Sequence, residues 1–375
     1  MVSIFRVSVY DKDRQFRCQI GNPSALSATV RHNLVSTLNI TVPLAHERLP
    51  ELMTDGTRLK VKFKGRHLIS GPIVSEAGET DGVSGQVTFT VEDDFRILRD
   101  ILGWQVPGSP ISNQTAAEYR TYTGDAETII KTAITENGIT RLAIPGLSVA
   151  PNLHRGEVVP GGVPLRMHPL ADKMFPAMDA AGIGVTVRQI GSGLVLDVYE
   201  PQLYPRKLSV KGRTLKKASW TKTRPESSRV VIGGQGEGTE RNFRQIIDAA
   251  RESQFGMRAE VFRDARDNDS SDVMDDRGRE TLTETAAKNG ISLDLVGTGI
   301  FQYGPGGFTE GDRVPVNLGN GILMTETIRE VTLNWVSKDY ASIQPSIGEI
   351  SNQPARIVAQ RLAALAKGVR NQELI

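Results

Sequence analysis

Five histidines, one cysteine and a dense run of carboxylates are the side chains in this 375-residue sequence best suited to catalysis or metal binding. His32, His46, His67, His154 and His168 are scattered, and no two stand four residues apart as a helical metal pair requires. Cys18 is alone, in a segment that reads as an early strand or turn, so it offers neither a disulfide framework nor a thiolate cage. Ser70-Gly71-Pro72 and Ser192-Gly193 are hairpin chemistry and lack the G-x-S-x-G pattern of a hydrolase elbow. Residues 264–280 carry seven acids (Asp264, Asp267, Asp269, Asp272, Asp275, Asp276 and Glu280) against three arginines. Asp267, Asp269 and Ser271 match the opening of a calcium loop, but Asp272 stands where glycine is needed and Gly278 where the bidentate glutamate is needed. A solvated, mobile loop is therefore the better reading. Nucleophile, base and stabiliser do not assemble into a recognisable set. No catalytic, cofactor-binding or metal-ligating residue is assigned, and no enzymatic activity is expected.

Two further stretches invite a ligand. Val230-Val231-Ile232 runs into Gly233-Gly234-Gln235-Gly236-Glu237-Gly238, but the G-x-G-x-G spacing is not the dinucleotide fingerprint and no complete βαβ unit surrounds it. A turn or bulge between strands accounts for it better. Arg206 to Arg224 holds eight Lys or Arg and no acid, with Trp220 among them. An aromatic within a basic run can serve as a single-strand nucleic-acid platform. The alternation of Leu208 and Val210, then Ala218 and Trp220, favours a strand with a cationic wet face, which could meet an acidic neighbouring subunit.

Composition sets the frame for these segments. Hydrophobic content of 39% and charge of 23% are those of a globular protein, the length suggests two to four domains, and a net charge of +2 argues for no nucleic-acid or membrane partner. No basic leader or apolar run of membrane-spanning length is expected from the sequence, which points to synthesis in a cytoplasm without a membrane anchor. The 37 glycines and 19 prolines supply the turns of a β-rich chain.

Period-two alternation at Phe5/Val7/Val9, Leu38/Ile40/Val42, Leu59/Val61/Phe63 and Val87/Phe89/Val91 predicts antiparallel strands through the first hundred residues. Phe95, Leu98, Ile101 and Leu102 suggest a helical turn closing that β-domain. A helix is predicted over Asp125–Asn137 with Gly138 as its stop, and a second over Leu170–Ala181, bent near Pro176. Between them lies a proline-rich loop. Val185, Val187 and Ile190 face Leu194, Leu196 and Val198 across Gly191-Ser192-Gly193 as a hairpin. Thr281 with Glu284 reads as a capping box for a short helix ended by Gly290, with strand resuming over Ile291–Leu295. Val331, Leu333 and Trp335 alternate again, and beyond Pro345 a tail begins. In it a helix from about Pro354 to Gly368 carries the stripe Val358, Leu362, Leu365 and Val369 between Arg356, Arg361 and Lys367. It either packs back on its own domain or lies in a neighbour's groove.

The chain repeats one motif. Gly56, Arg58, Leu59, Val61 and Phe63 return 255 positions later as Gly311, Arg313, Val314, Val316 and Leu318, and Leu68 to Ile73 as Leu323 to Ile328. Each copy reads as a strand, a tight turn and a returning strand. The expected fold is α+β and β-rich. It has two tube-like antiparallel β-barrel domains (1–103 and 206–345) flanking a small α+β insert (104–205), and a C-terminal tail with its helix (346–375).

The order of these features resembles the tail-tip hub proteins of long-tailed bacteriophages, and most of all the minor tail protein family of siphophages with actinobacterial hosts. The segments that carry it are Val87 to Leu98, Val230 to Gly236, Glu260 to Asp267 and Gly311 to Val314. The layout is also similar to the hub of contractile-tail baseplates. The resemblance implies a homotrimer whose three subunits, with two similar barrels each, make a six-fold-like ring at the tail tip of the virion. It also implies contacts with the distal tail protein, the tape-measure C-terminus and downstream tip or fibre proteins, with DNA passing only transiently through the channel. A carbohydrate-binding tip protein using Trp104, Tyr119 and Tyr122 is the alternative, and a cell-wall hydrolase a more distant one.

Overall fold

The structure is a computed structural model that describes residues 4–348 apart from 83, 210, 213, 267–270, 288, 296–300, 305 and 320. At 216–219, 221, 222, 272, 276, 289–292, 294, 295 and 348 it describes the backbone alone. The stripe Val358, Leu362, Leu365 and Val369 lies outside the described residues. Contact density separates two units, Met1–Lys217 with Leu293–Ile347 in the first and Ala218–Ser292 in the second. The boundaries expected from the sequence are a different cut, made by repeat and not by contact.

In the first unit, seven strands follow in order: β1 (Phe5–Tyr10), β2 (Phe16–Ile20), β3 (Ala25–Arg31), β4 (Thr37–Pro43), β5 (Arg58–Phe63), β6 (Arg66–Thr80) and β7 (Gly85–Glu92). Their hydrogen-bonded order is β2-β1-β5-β6-β7-β4-β3, continuing from β3 onto the C-terminal strands Ile322–Ser337 and Tyr340–Gly348. Alternate side chains face inward, as the period of two requires: Val7, Val9, Leu38, Ile40, Leu59, Val61, Phe89 and Val91 are buried. Nothing joins β2 to the far end of this path among the described residues. Among the described residues the sheets are thus open, and the closed barrels expected from the sequence are not formed.

The two copies share their backbone plan. β5 pairs with β6 at Arg58↔Pro72, Leu59↔Gly71, Lys60↔Ser70 and Val61↔Ile69. Strand Arg313–Gly319 pairs with Ile322–Ser337 at Arg313↔Thr327, Val314↔Glu326, Pro315↔Thr325 and Val316↔Met324, the same four pairs displaced by 255 residues. Gly56 and Gly311 open the copies at φ of +80° and +92°, a left-handed conformation that glycine adopts without Cβ strain. Behind each glycine the turn closes the same way, Thr57 N–H to Thr54 O at 3.1 Å in one copy and Asp312 N–H to Thr309 O at 3.3 Å in the other. The long strand then bulges at the same place, between Ile73 and Ser75 in one copy and between Ile328 and Glu330 in the other. There it leaves its first partner for a second, β7 or Tyr340–Gly348; bulges are the usual means by which a strand turns a corner between sheets. That third repeated strand escaped the sequence reading, because Pro345 looked like the start of a tail. The strand runs on to Gly348 with Pro345 opposite Val331.

The copies also join each other. β3 pairs antiparallel with the bulged half of Ile322–Ser337, from Arg31↔Glu330 to Ser27↔Asn334. Polar side chains face one another along this seam: Ser27 Oγ donates to Asn334 Oδ1 at 2.7 Å, and the Arg31 guanidinium donates to Glu330 at 2.8 Å.

The insert has its own core. Helix Ala126–Ile134 starts at Asp125, whose carboxylate accepts the Thr128 N–H at 2.8 Å as an N-cap. Gly138 does not stop it: the chain continues as a wider π-type turn over Thr135–Arg141, with Gly138 buried against Ile101 and Leu147. Helix Leu170–Ala180 keeps Pro176 inside it, and strands Gly184–Ile190 and Gly193–Tyr199 form the expected hairpin. Phe95, Leu98 and Ile101, read from the sequence as closing the first β-domain, pack instead with Ile129, Ile130, Met174 and Leu196 in the insert's core. Leu102 is exposed.

The second unit is a three-stranded sheet, Phe243–Ile247, Arg229–Gly233 and Glu260–Asp264 in spatial order, antiparallel at the first junction and parallel at the second. Helix Ser271–Glu284 covers one face, where Val230, Ile232, Ala265, Met274 and Leu282 form a small core. Gly278 lets it approach, since a Cβ there would stand 2.7–2.8 Å from Ile246 and Ile232 side-chain atoms. The acidic run is therefore largely a helix and not the mobile loop expected from its charge. Asp275 is anchored by the Arg244 guanidinium at 2.6 and 2.7 Å. Thr281 lies inside this helix and donates to Arg277 O, so it is not a cap. The glycine run after Gly233 is a connection between two antiparallel strands, as the sequence suggested.

Candidate functional site

Where the first repeat, the insert and the second repeat meet, the first unit buries an unusual number of polar groups. The Arg58 guanidinium of β5 pairs with Asp94, which is 1% exposed. Ser70 donates to the other Asp94 oxygen at 2.7 Å and accepts the Gln189 N–H of the insert hairpin at 3.1 Å. Lys60 Nζ donates to Gln189 O at 2.8 Å. Burial pushes the Asp94 carboxyl upward, against the pull of Arg58. The residues that tie hairpin to insert thus come from both sides of the repeat's first turn.

A second cluster lies at the β3–β4 turn. His32 Nδ1 meets Tyr199 Oη at 2.7 Å, and His32 Nε2 lies 3.1 Å from Asp179 Oδ1. Asn33 donates to Asp179 at 2.6 Å and accepts the Val185 N–H, and Arg329 from the second repeat donates to Asp179 Oδ2 at 2.5 Å. Burial raises the Asp179 carboxyl, but the His32 hydrogen bond and the Arg329 charge hold it below its usual value. Tyrosine, histidine and aspartate in a row have the outline of a catalytic relay. Burial, however, drives the Tyr199 hydroxyl well above its ordinary pKa, the opposite of what activates a nucleophile. The cluster acts as a clamp among β3, the insert and the second repeat.

Between the two clusters is a polar cavity of about 50 Å³ lined by Ser36, His67, Asp93, Arg188, Tyr199 and Glu310 among others. His67 Nδ1 and Asp93 Oδ1 are buried there without a hydrogen-bond partner among the described residues. Burial pushes Asp93 up to about 8 and, with the charge of Arg188, His67 down to about 3. Both are therefore neutral near pH 7, which is how a small polar cavity avoids burying net charge. Its size suits one or two waters.

The two arginines of the repeat part company. Arg58 belongs to the buried cluster, whereas Arg313 is exposed and, among the described residues, is engaged through its backbone, with Gln202, Tyr204 and the strand partner Thr327. Leu59, Val61, Phe63, Val314 and Val316 are buried, and Leu318 is half-buried. The sequence marked these positions, but His32 only as one of five scattered histidines and Asp94 only within a strand end, and Asp179 and Glu310 not at all, since spacing carried no signal for them. Among the described residues no three His, Cys, Asp or Glu side chains are grouped as a metal site. The carbohydrate platform weighed as the alternative at Trp104, Tyr119 and Tyr122 is not assembled as one surface. Tyr122 is 3% exposed with its hydroxyl on Glu136, while Trp104 lies under the Arg141 guanidinium at 4.4 Å and Tyr119 near Arg166. Trp220 in the basic stretch is half-exposed.

Solved structures share this fold across nearly the whole chain. The 43 kDa tail protein of prophage MuSo2 from Shewanella oneidensis aligns with a TM-score of 0.56 at 13% identity, covering 92% of this chain and 98% of its own. Prophage tail protein gp18 from Listeria monocytogenes EGD-e gives 0.53 at 12% identity, covering 96% and 99%. A tail protein from Neisseria meningitidis MC58 gives 0.50 at 11%, covering 94% and 98%. No curated protein sequence matches the chain. A family profile does match, over residues 6–349, and by it the chain belongs to the Siphovirus ReqiPepy6 Gp37-like proteins, a siphovirus tail protein family.

Proposed function

We propose that this tail protein is a homotrimeric hub at the tail tip, joining the tail tube to the tip complex and enclosing the channel through which tape measure and DNA leave. The observation that carries the reading is the register-matched pair of bulged hairpins 255 residues apart. Two equivalent β-modules in each of three subunits present six similar elements to a hexameric tube. The open sheet supports it too, because its edge strand β2 has one side unpaired among the described residues, and an unpaired edge is a place where another subunit can add.

On this reading, residues 1–103 and 206–345 are the tube-like domains, 104–205 the insert and 346–375 a tail. The partners are the distal tail protein, the tape-measure C-terminus and downstream tip or fibre proteins, in a virion assembled in the host cytoplasm. The action is mechanical: the buried clamps hold repeat and insert in one arrangement, and host contact favours another. Electron microscopy of the particle tests it. Three copies around the tail axis, with the two repeats alternating at six positions, is the expected result. A single copy, or copies placed away from the tube, would sink it.

A further inference from the structure

The sheet of the second unit has helix Ser271–Glu284 on one face and an open face opposite. Register places Arg229, Val231 and Gly233, Phe243, Gln245 and Ile247, and Glu260, Phe262 and Asp264 on that open side. Phe243, Ile247 and Phe262 are 54%, 47% and 52% exposed. Three large apolar side chains at that exposure on the two outer strands, either side of half-buried Val231 on the central one, form a continuous patch and not scattered surface hydrophobics. Arg241 lies across Gly233 between the two phenylalanine rings, 5.5 and 5.4 Å from their centroids, and its guanidinium is held by Asp264 at 2.6 Å. A Cβ on Gly233 would stand 2.6 Å from that guanidinium, so the glycine is what lets the arginine lie flat.

The chemistry of the rim narrows the occupant. Arg229 is paired with Glu252 at 2.5 Å and Arg241 with Asp264, so neither cation is offered to a phosphate or an acidic chain. Among the described residues the Glu260 carboxylate accepts a hydrogen bond only from the neutral Gln245 amide, at 3.0 Å. An apolar strip with basic flanks fits this face, and a nucleic acid does not. The same sequence supplies one: residues 349–375 follow the last described strand, and their helical pattern sets Val358, Leu362, Leu365 and Val369 on one stripe between Arg356, Arg361 and Lys367. Over these positions a helix rises roughly 16 Å, and three strands of five residues make a face of roughly 10 by 15 Å. A sheet with one apolar face covered and one bare is completed by a second helical layer.

We propose that this C-terminal stripe lies on the open face of Val231, Phe243, Ile247 and Phe262 of its own chain, making the second unit a helix–sheet–helix sandwich. The proposal is independent of the trimeric hub. Cys18 is the single cysteine, so full-length protein carrying Cys18→Ala takes engineered pairs cleanly. Under mild oxidation, Phe262→Cys with Leu362→Cys should bridge within one chain about tenfold faster than Phe262→Cys with Gln360→Cys, which sits on the opposite side of the helix. Equal rates, or bridges only between chains as a second copy would give, overturn it. Carbene footprinting needs no cysteine: Phe243, Ile247 and Phe262 should label several-fold more in a chain ending at Gly348 than in the intact protein. Equal labelling of the two also overturns the proposal.

Discussion

The two copies of the bulged hairpin have one backbone and two environments. Inner register, opening glycine, closing turn and bulge coincide at an offset of 255. Their outer neighbours do not. β5 is flanked by β1, antiparallel, with Tyr10 opposite Arg58. Strand Arg313–Gly319 is flanked by parallel pairing to Leu208 and Ser209 and by a bridge from Arg313 to Leu203. The difference teaches that the hairpin is specified locally, by glycine, alternation and turn, while the role of each side chain on it depends on what the rest of the chain brings alongside. Arginine two residues after the glycine is a buried ion-pair partner in one copy and a surface residue in the other.

The largest expected effect separates those two arginines. Arg58→Ala strips Asp94, nearly sealed from water, of its counter-charge and hydrogen-bond donor, which should cost about 3–5 kcal/mol of stability. Arg313→Ala should fall within about 0.5 kcal/mol of wild type. Denaturant unfolding of both variants decides it, and similar losses would mean that the copies are alike in environment as well as backbone.

The next effect tests the glycines. Alanine at either position must adopt positive φ, but a Cβ at 311 would stand 2.5 Å from His32 Nδ1 and 3.0 Å from Tyr199, inside the clamp. At 56 the nearest atom is the Lys12 Cβ at 2.9 Å, on an exposed residue that can move. Gly311→Ala should therefore cost about 3 kcal/mol and Gly56→Ala about 1–2 kcal/mol, read from thermal unfolding. The reverse order would show that the clamp yields more easily than the β1–β2 turn.

The smallest concerns the cavity beside the first copy. Asp93 is raised from 3.8 to about 8, so its contribution is complete below its unfolded value and is lost as pH rises toward about 8. His67 works in the other direction, its contribution complete above 6.5 and lost as pH falls toward about 3. Asp93 is only half-buried as a residue, so the loss between about pH 5 and pH 8 should be about 1–2 kcal/mol, discounted for screening. Asp93→Asn should flatten that decline. Unfolding midpoints at the two pH values check it, and an unchanged slope would remove Asp93 from the account.

The amino-acid sequence alone carried the repeat, the strands of the first hundred residues and the insert hairpin. Each is written in local terms: an apolar period of two, and a glycine where φ is positive. It misjudged elements whose outcome turned on partners far away. Charge alone made residues 264–280 look like a loop, yet Val273 and Met274 lie among those acids, and a sheet to pack on makes helix the favoured state for Ser271–Glu284. Pro345 looked like an ending, because a proline's cost in a strand depends on whether its missing N–H was needed. Closed barrels were expected from alternation, but alternation says only that each strand has a wet and a dry face. Whether the last strand returns to the first is set by register and twist summed over the sheet, and so is the meeting of Arg58 with Asp94 or of His32 with Asp179. Those contacts join residues 36 and 147 positions apart, at distances no local pattern encodes, and only the tertiary structure decided them.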